Sequence, residues 1–176
     1  MTTTKWTLDP AHSELQFKVK HLMITTVTGT LKSFDASLES DDNEFKPEAI
    51  SFSGNIDSLD TGNTDRDNHL KSGDFFDAEK FPKMEFKSTG IEKDGSDFNI
   101  KGELTIKDVT KPVKLTAEFG GIATDPWGNT KAGFTLSTKI NRNDFGLTWN
   151  AALETGGVMV SEDVRILGEL QFVKQA

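Results

Sequence analysis

FNIKGELTIKDVTKPVKLTAEF, residues 98–119, decides the fold. Apolar side chains take every second position: Phe98, Ile100, Leu104 and Ile106, then Val113, Leu115, Ala117 and Phe119, with Gly102 in the first row. Lys, Glu, Asn and Thr fill the places between them. A helix would repeat every 3.6 residues, whereas a period of two puts one face on a core and the other in water. Asp108, with Lys111-Pro112 behind it, signals a turn between the two runs. The stretch is expected to be a hairpin of half-buried antiparallel strands.

The same period extends outward in both directions. Leu15, Phe17 and Val19 alternate with polar residues, and His21 continues their phase. Val27, Gly29 and Leu31 follow; the phase then slips to Phe34, Ala36 and Leu38, as at a bulge or bend. Further rows are Ile50, Phe52, Gly54 and Ile56; Met84 and Phe86; Ala132, Phe134, Leu136 and Ile140; and Val164, Ile166, Gly168, Leu170 and Phe172. Turn signals at Asp41-Asp42-Asn43, Lys93-Asp94-Gly95 and Asp125-Pro126-Trp127-Gly128-Asn129 separate them. About eight such strands, with no repeat or linker between them, imply an all-β chain forming one domain over residues 1–176. A single sheet with one apolar face must bury it, and closure into one antiparallel β-barrel does so without leaving an edge. Gly29, Gly54, Gly102 and Gly168 lie on the inward rows. Glycine there marks either barrel corners or space left for a ligand, and the two readings are compatible.

One stretch breaks the pattern: NTDRDNHLKSGDFFD, residues 63–77. Thr64 with Asp67 three places on resembles a capping box, so a short helix is expected over about residues 65–72, with Gly73 as a left-handed stop. In a strand protein with an apolar interior, such a helix is expected near the barrel mouth. Leu70, Phe75 and Phe76 are its lid residues, one of the two phenylalanines pointing inward while the other staples the loop.

Composition excludes several functions. The net charge is −8 and the basic residues are scattered singly, which argues against a nucleic-acid face or an anionic membrane surface. The chain has no cysteine, and no run approaches the roughly 20 apolar residues of a membrane-spanning helix. The N-terminal MTTTKWTLDP carries no apolar leader, so a cytoplasmic location is expected, or a periplasmic one if a leader was removed. The three histidines, His12, His21 and His69, have no metal-ligand spacing, and no metal or cofactor is expected. Ser13, His12 and Asp67 supply the elements of a hydrolase triad, but no G-x-S-x-G elbow accompanies them, and no enzyme is expected. Arg66, Asp65 and Asp67, with Arg142 and Asp144, read either as ion pairs pinning loops to a barrel rim or as a polar rim for a ligand head group.

Several motifs in order resemble the YceI-like family. They are Trp6-Thr-Leu-Asp-Pro-Ala-His12-Ser13; His21-Leu22 with Val27-Thr-Gly29; and Thr61 to Phe76 with Arg66-Asp67, His69-Leu70 and Asp74-Phe75-Phe76. Phe81-Pro82, Gly102-Glu-Leu104-Thr-Ile106 with Val109-Thr-Lys-Pro112-Val113, Asn141-Arg142 with Asp144-Phe145-Gly146-Leu147, and Gly156-Gly157 leading to Asp163-Val164 continue the match. Asp108 stands where the family's hairpin usually has glycine, and aspartate tolerates a left-handed turn. The resemblance implies a lipocalin-like barrel, a lipid ligand such as a polyisoprenoid, and a homodimer. The expected function is therefore non-catalytic carriage or sequestration of a long apolar chain, such as a polyisoprenoid, fatty acid or fatty amide, in the lumen. The alternative is a solid-core barrel acting in stress response or protein interaction through its outer surface. By phase, the candidate ligand-facing residues are Phe17, Val19, His21, Leu31, Phe34, Phe52, Ile56, Phe86, Leu104, Phe134 and Leu136, with Leu70, Phe75 and Phe76 from the lid. Arg66, His69 and Arg142 are the candidate polar rim.

Overall fold

The period-two rows fold as one antiparallel sheet in the computed structural model, which describes residues 3–21, 24–41, 46–73, 75–147 and 160–175. Its elements are β1 (Thr3–Leu8), β2 (Glu14–His21), β3 (Thr25–Leu31), β4 (Phe34–Asp41), β5 (Lys46–Asn55), β6 (Leu59–Asp60), α1 (Thr64–Lys71), β7 (Lys83–Asp94), β8 (Asp97–Ile106), β9 (Val109–Thr124), β10 (Thr130–Asn141) and β11 (Val160–Lys174). The pairs β1/β2, β3/β4 and β5/β6 are each one stave interrupted midway, so eleven segments make an eight-stranded barrel. β11 closes it. One edge pairs with β10; the other pairs with β2 (Phe17 opposite Ile166) and then with β1 (Leu8 opposite Phe172).

Local chemistry explains the interruptions. Between β1 and β2 the chain makes a 3-10 turn at Pro10–His12, capped by the Asp9 side chain. Across that gap the Asp9 backbone N–H donates to Gln171 O at 2.8 Å, and Gln171 N–H donates to Ser13 Oγ at 3.0 Å. The ladder of β11 is thus satisfied where no strand faces it. The slip between Leu31 and Phe34 is the break between β3 and β4; Ser33 N–H donates there to Ser58 Oγ at 2.9 Å and Ser33 O accepts from Asn55 N–H at 2.9 Å.

The hairpin of residues 98–119 forms as expected, with Ile106 opposite Val109. Lys107 and Asp108 both take positive φ (53° and 62°), as a two-residue turn with the twist of its strands requires. Lys111-Pro112 is not part of that turn: Pro112 lies inside β9, opposite Glu103. The registered pairing of β9 with β10 runs only between Thr116 and Thr124, so the proline occupies a stretch where that edge is unpaired. The Lys93-Asp94-Gly95 and Asp125-to-Asn129 turns form, the second wrapped on the Asp125 carboxylate, which accepts from Trp127 N–H and Asn129 N–H at 2.9 Å each. Asp42 and Asn43, Asp74, and Gly156-Gly157 lie outside the described residues, as does the side chain of His21.

The expected helix forms one residue earlier than its sequence suggests. Asn63, not Thr64, is the N-cap, its side chain accepting from Arg66 N–H at 3.0 Å. Asp67 is drawn away from a capping box because its carboxylate accepts from both Thr61 N–H (2.9 Å) and Thr61 O–H (2.5 Å). Gly73 does not take the left-handed conformation. The helix ends at an extended Ser72, and the left-handed residue comes later, at Asp77 (φ 50°).

The barrel is filled at one end. Trp6 and Phe172 are buried there, and the rings of Phe98, Phe119 and Phe134 cluster with centroids 5.3–6.4 Å apart. Trp6 Nε1 donates to the buried Ser40 Oγ at 2.8 Å, so its indole is buried with its polar atom satisfied. The inward glycines do not open space either. A Cβ on Gly29 would meet the Phe17 ring, one on Gly54 would meet Leu31 and Phe52, and one on Gly102 would meet Phe86. These three glycines are seats for packed side chains, mostly aromatic rings, whereas Gly168 meets only Leu15, Leu136 and backbone at 3.4–3.8 Å.

Candidate functional site

At the other end the barrel is hollow. A cavity of about 470 Å³ lies under α1, within the size range of small-molecule sites. Its walls are apolar. β2 supplies Leu15, Phe17 and Val19; β3 supplies Val27 and Leu31; Ile56 and Leu59 flank the start of β6. Met84, Ile106, Ile140, Val164 and Ile166 complete the barrel wall, and Leu147 follows the 3-10 turn Arg142–Phe145. The roof is Leu70 from α1 with Phe75 and Phe76 from the loop after it. That loop is folded back: Phe76 N–H donates to Leu70 O at 3.0 Å and Ala78 N–H to Lys71 O at 2.9 Å. Both phenylalanines line the cavity, so neither is only a staple. Phe75 meets His69 edge to face at 5.1 Å.

Polar residues of the lining come from α1 and its cap (Asn63, Asp65, Arg66 and His69), from β2 (Gln16 and Lys20) and from Arg142. Arg66 is held by two hydrogen bonds to one residue: Nε donates to Thr61 Oγ1 and Nη2 to Thr61 O, each at 2.8 Å. Arg142 is 3% exposed; its Nε donates to Ser161 O at 2.9 Å and its Nη1 to Leu147 O at 2.6 Å. Burial pushes the Arg142 guanidinium below its ordinary pKa, opposed by the Glu162 charge, and an arginine so placed remains a cation. Ion pairs to Asp65, Asp67 and Asp144 were one expectation for this cluster. The hydrogen bonds that fix Arg66 run instead to a threonine, and Asp67 bonds that same threonine. Exposed Lys20, Asn63 and Asp65 mark where the cavity reaches the surface.

Of the ligand-facing residues expected by phase, Phe17, Val19, Leu31 and Ile56 line this cavity, as do Leu70, Phe75 and Phe76, and Arg66, His69 and Arg142 stand in its polar lining. Six expected residues do not reach it because they sit lower in the barrel. Phe52, Phe86, Leu104 and Leu136 surround a narrow void of about 60 Å³, and Phe34 packs on Phe52 with ring centroids 5.8 Å apart. Phe134 belongs to the aromatic plug at the filled end. Period two tells which face a residue is on but not its height along the barrel. For the same reason Leu15, Val27, Met84, Ile106, Ile140, Val164 and Ile166, all on the rows, were not singled out. Gln16, Lys20, Leu59, Asn63 and Leu147 also line the cavity without having been expected there, and Asp65, from the charged cluster read as a possible rim, lines it too.

The suggested triad does not assemble. His12 Nδ1 lies 2.8 Å from Asp9 Oδ2, Ser13 Oγ bonds the backbone of Gln171, and Asp67 is on α1 bonded to Thr61. Among the described residues, no three His, Asp or Glu side chains gather as a metal cage. No helix among them is long and apolar enough to cross a membrane.

Comparison with known proteins agrees with this architecture. A UPF0312 protein of Staphylococcus epidermidis is 41% identical over 96% of this chain and 97% of its own length. The crystal structure of the YCEI protein of Campylobacter jejuni superposes with a TM-score of 0.78 at 34% identity, covering 89% of this chain and 90% of that one. A polyisoprenoid binding domain from Saccharophagus degradans shares the fold at 12% identity, with a TM-score of 0.67 over 97% of this chain and 98% of its own. The model of the YceI-like domain matches residues 6–172, from the buried Trp6 to the buried Phe172, and the chain belongs to that family.

Proposed function

We propose that this protein is a non-catalytic carrier or sequestering protein that holds part of an apolar chain in the hollow end of its barrel. The cavity of about 470 Å³ carries the reading: Leu, Ile, Val, Phe and Met form its wall, and its few polar residues come from α1 and its cap, from β2 and from Arg142. Burying a chain at roughly 0.8 kcal/mol per methylene gives affinity without directional contacts, which suits a polyisoprenoid, a fatty acid or a fatty amide. The name of the Saccharophagus degradans domain, which shares the fold, supports the polyisoprenoid class. The aromatic plug limits the length held. A ligand longer than the hollow half leaves the rest of its chain or its head outside. The separation of Ser13, His12 and Asp67 supports binding over catalysis.

Organic extraction of protein purified from its native host, followed by mass spectrometry, is expected to release a single-chain lipid in near-stoichiometric amount. No released lipid, together with no binding of isoprenoid or fatty-acid probes, would overturn the carrier reading and favour the outer surface as the working part.

A further inference from the structure

We propose that the ligand's head group is an anion, a carboxylate or a phosphate monoester, received beside Arg66 at the α1 side of the cavity; the inference rests on the carrier reading and specifies the chemistry at its mouth. The chain as a whole has 28 acidic and 20 basic residues. Among the described residues the cavity lining reverses that balance, holding Lys20, Arg66 and Arg142 against the single carboxylate of Asp65, with His69 beside them. An acidic protein that concentrates cations around one apolar cavity has a local field opposite to its global one.

Arg66 is the cation oriented to receive that anion. Its guanidinium is oriented by Thr61, whose N–H and O–H are in turn fixed on Asp67. That chain of bonds pins the fork while spending only Nε and one terminal nitrogen. Among the described residues, Nη1 has no partner and no carboxylate lies within ion-pair distance of the group. Arg66 is half-buried, so its charge is less screened than one in open water. A pre-oriented guanidinium with a spare donor at an apolar pocket suits an oxyanion on an alkyl chain; an alcohol or amide gains less from it. Asp65 is exposed and opposes an anion, so its removal should improve binding.

The test is displacement of the neutral fluorophore N-phenyl-1-naphthylamine by oleic acid, oleyl phosphate, oleyl alcohol and oleylamine, all below their aggregation limits. The two anionic lipids should compete about tenfold better than the alcohol, and the amine worst. Arg66→Gln should erase most of that preference, weakening the two anionic lipids far more than the alcohol. Arg66→Lys should retain part of it, and Asp65→Asn should enlarge it. Inorganic phosphate alone should displace nothing. Equal affinity for acid and alcohol, an equal loss for both in Arg66→Gln, or displacement by free phosphate overturns the head-group inference while the carrier reading stands. Failure of every lipid to displace the probe overturns the carrier reading itself.

Discussion

Gly29 lacks a side chain because Phe17 lies where one would be, on the strand partner directly opposite. The pairing turns a weak strand residue into a seat for a ring that also forms cavity wall. Gly29→Ala is expected to cost about 1–3 kcal/mol in urea unfolding, because the ring sits in a packed wall and must shift. Adding Phe17→Leu should recover part of that loss, although Phe17→Leu alone destabilises. Gly168→Ala is the contrast: its Cβ would meet Leu15 at 3.4 Å, an ordinary contact, and should cost much less. A loss within about 0.5 kcal/mol for Gly29→Ala would refute the seating argument. Asp9 shows a different residue-scale logic. Its hydrogen bond from Lys131 Nζ (2.8 Å), with a further bond from His12, holds its carboxyl below the usual aspartate pKa despite partial burial. A depressed carboxyl pKa contributes stability that is present above the unfolded value, about 3.9, and is lost as pH falls through the lower folded value. Carboxyl NMR titration should place the Asp9 midpoint below the ordinary range, and Lys131→Met should move it up. An unmoved midpoint would mean that Lys131 is not the cause.

At the scale of elements, α1 differs in kind from the strands around it. None of its eight residues is buried, and it is held by its caps, by Thr61 and by the loop that follows it. Such an element opens at lower free energy than the barrel it covers. Asn63→Ala removes the cap bond to Arg66 N–H and should cost about 1 kcal/mol. The loss should be local: hydrogen exchange of α1 amides should quicken while amides of β8 and β10 keep their rates. Uniform quickening would show that α1 and the barrel open as one unit, and the roof could not then work as a separately opening lid. The helix itself was legible because Thr64-Asp65-Arg66-Asp67 breaks the period of two. Its cap was not, because Asn63 and Thr64 are both good caps in sequence. Only the fold brings Thr61 to Asp67 and so decides between them. The hairpin at Lys107-Asp108 was legible for the opposite reason, since its register is fixed by rows on both sides. Pro112 misled because a proline usually signals a turn, and the unpaired edge of β9 that tolerates it arises only in the closed barrel.

The whole molecule divides its length between two tasks. Period two implied that about eight strands would close around an apolar interior. It could not establish that the interior is solid where Phe98, Phe119, Phe134 and Phe172 meet and hollow where Phe17, Val27 and Val164 meet, because both sets read as the same alternation. What separates them is height, and height depends on the shear of strands that come together only on closure. The division makes a paired prediction. Phe134 is 7% exposed among three other rings, so Phe134→Ala should cost about 3–5 kcal/mol of stability. Its effect on affinity for an apolar probe should be small, because it lies below the cavity. Phe76 is half-buried in the roof, so Phe76→Ala should cost less stability and weaken the same probe by about tenfold, through lost contact area and a leakier cover. Urea melts and probe titrations of the two variants measure both quantities, in conditions where each remains folded. If Phe134→Ala weakened the probe as much as Phe76→Ala, the lumen would be one continuous site, and the plug would be part of what the ligand touches.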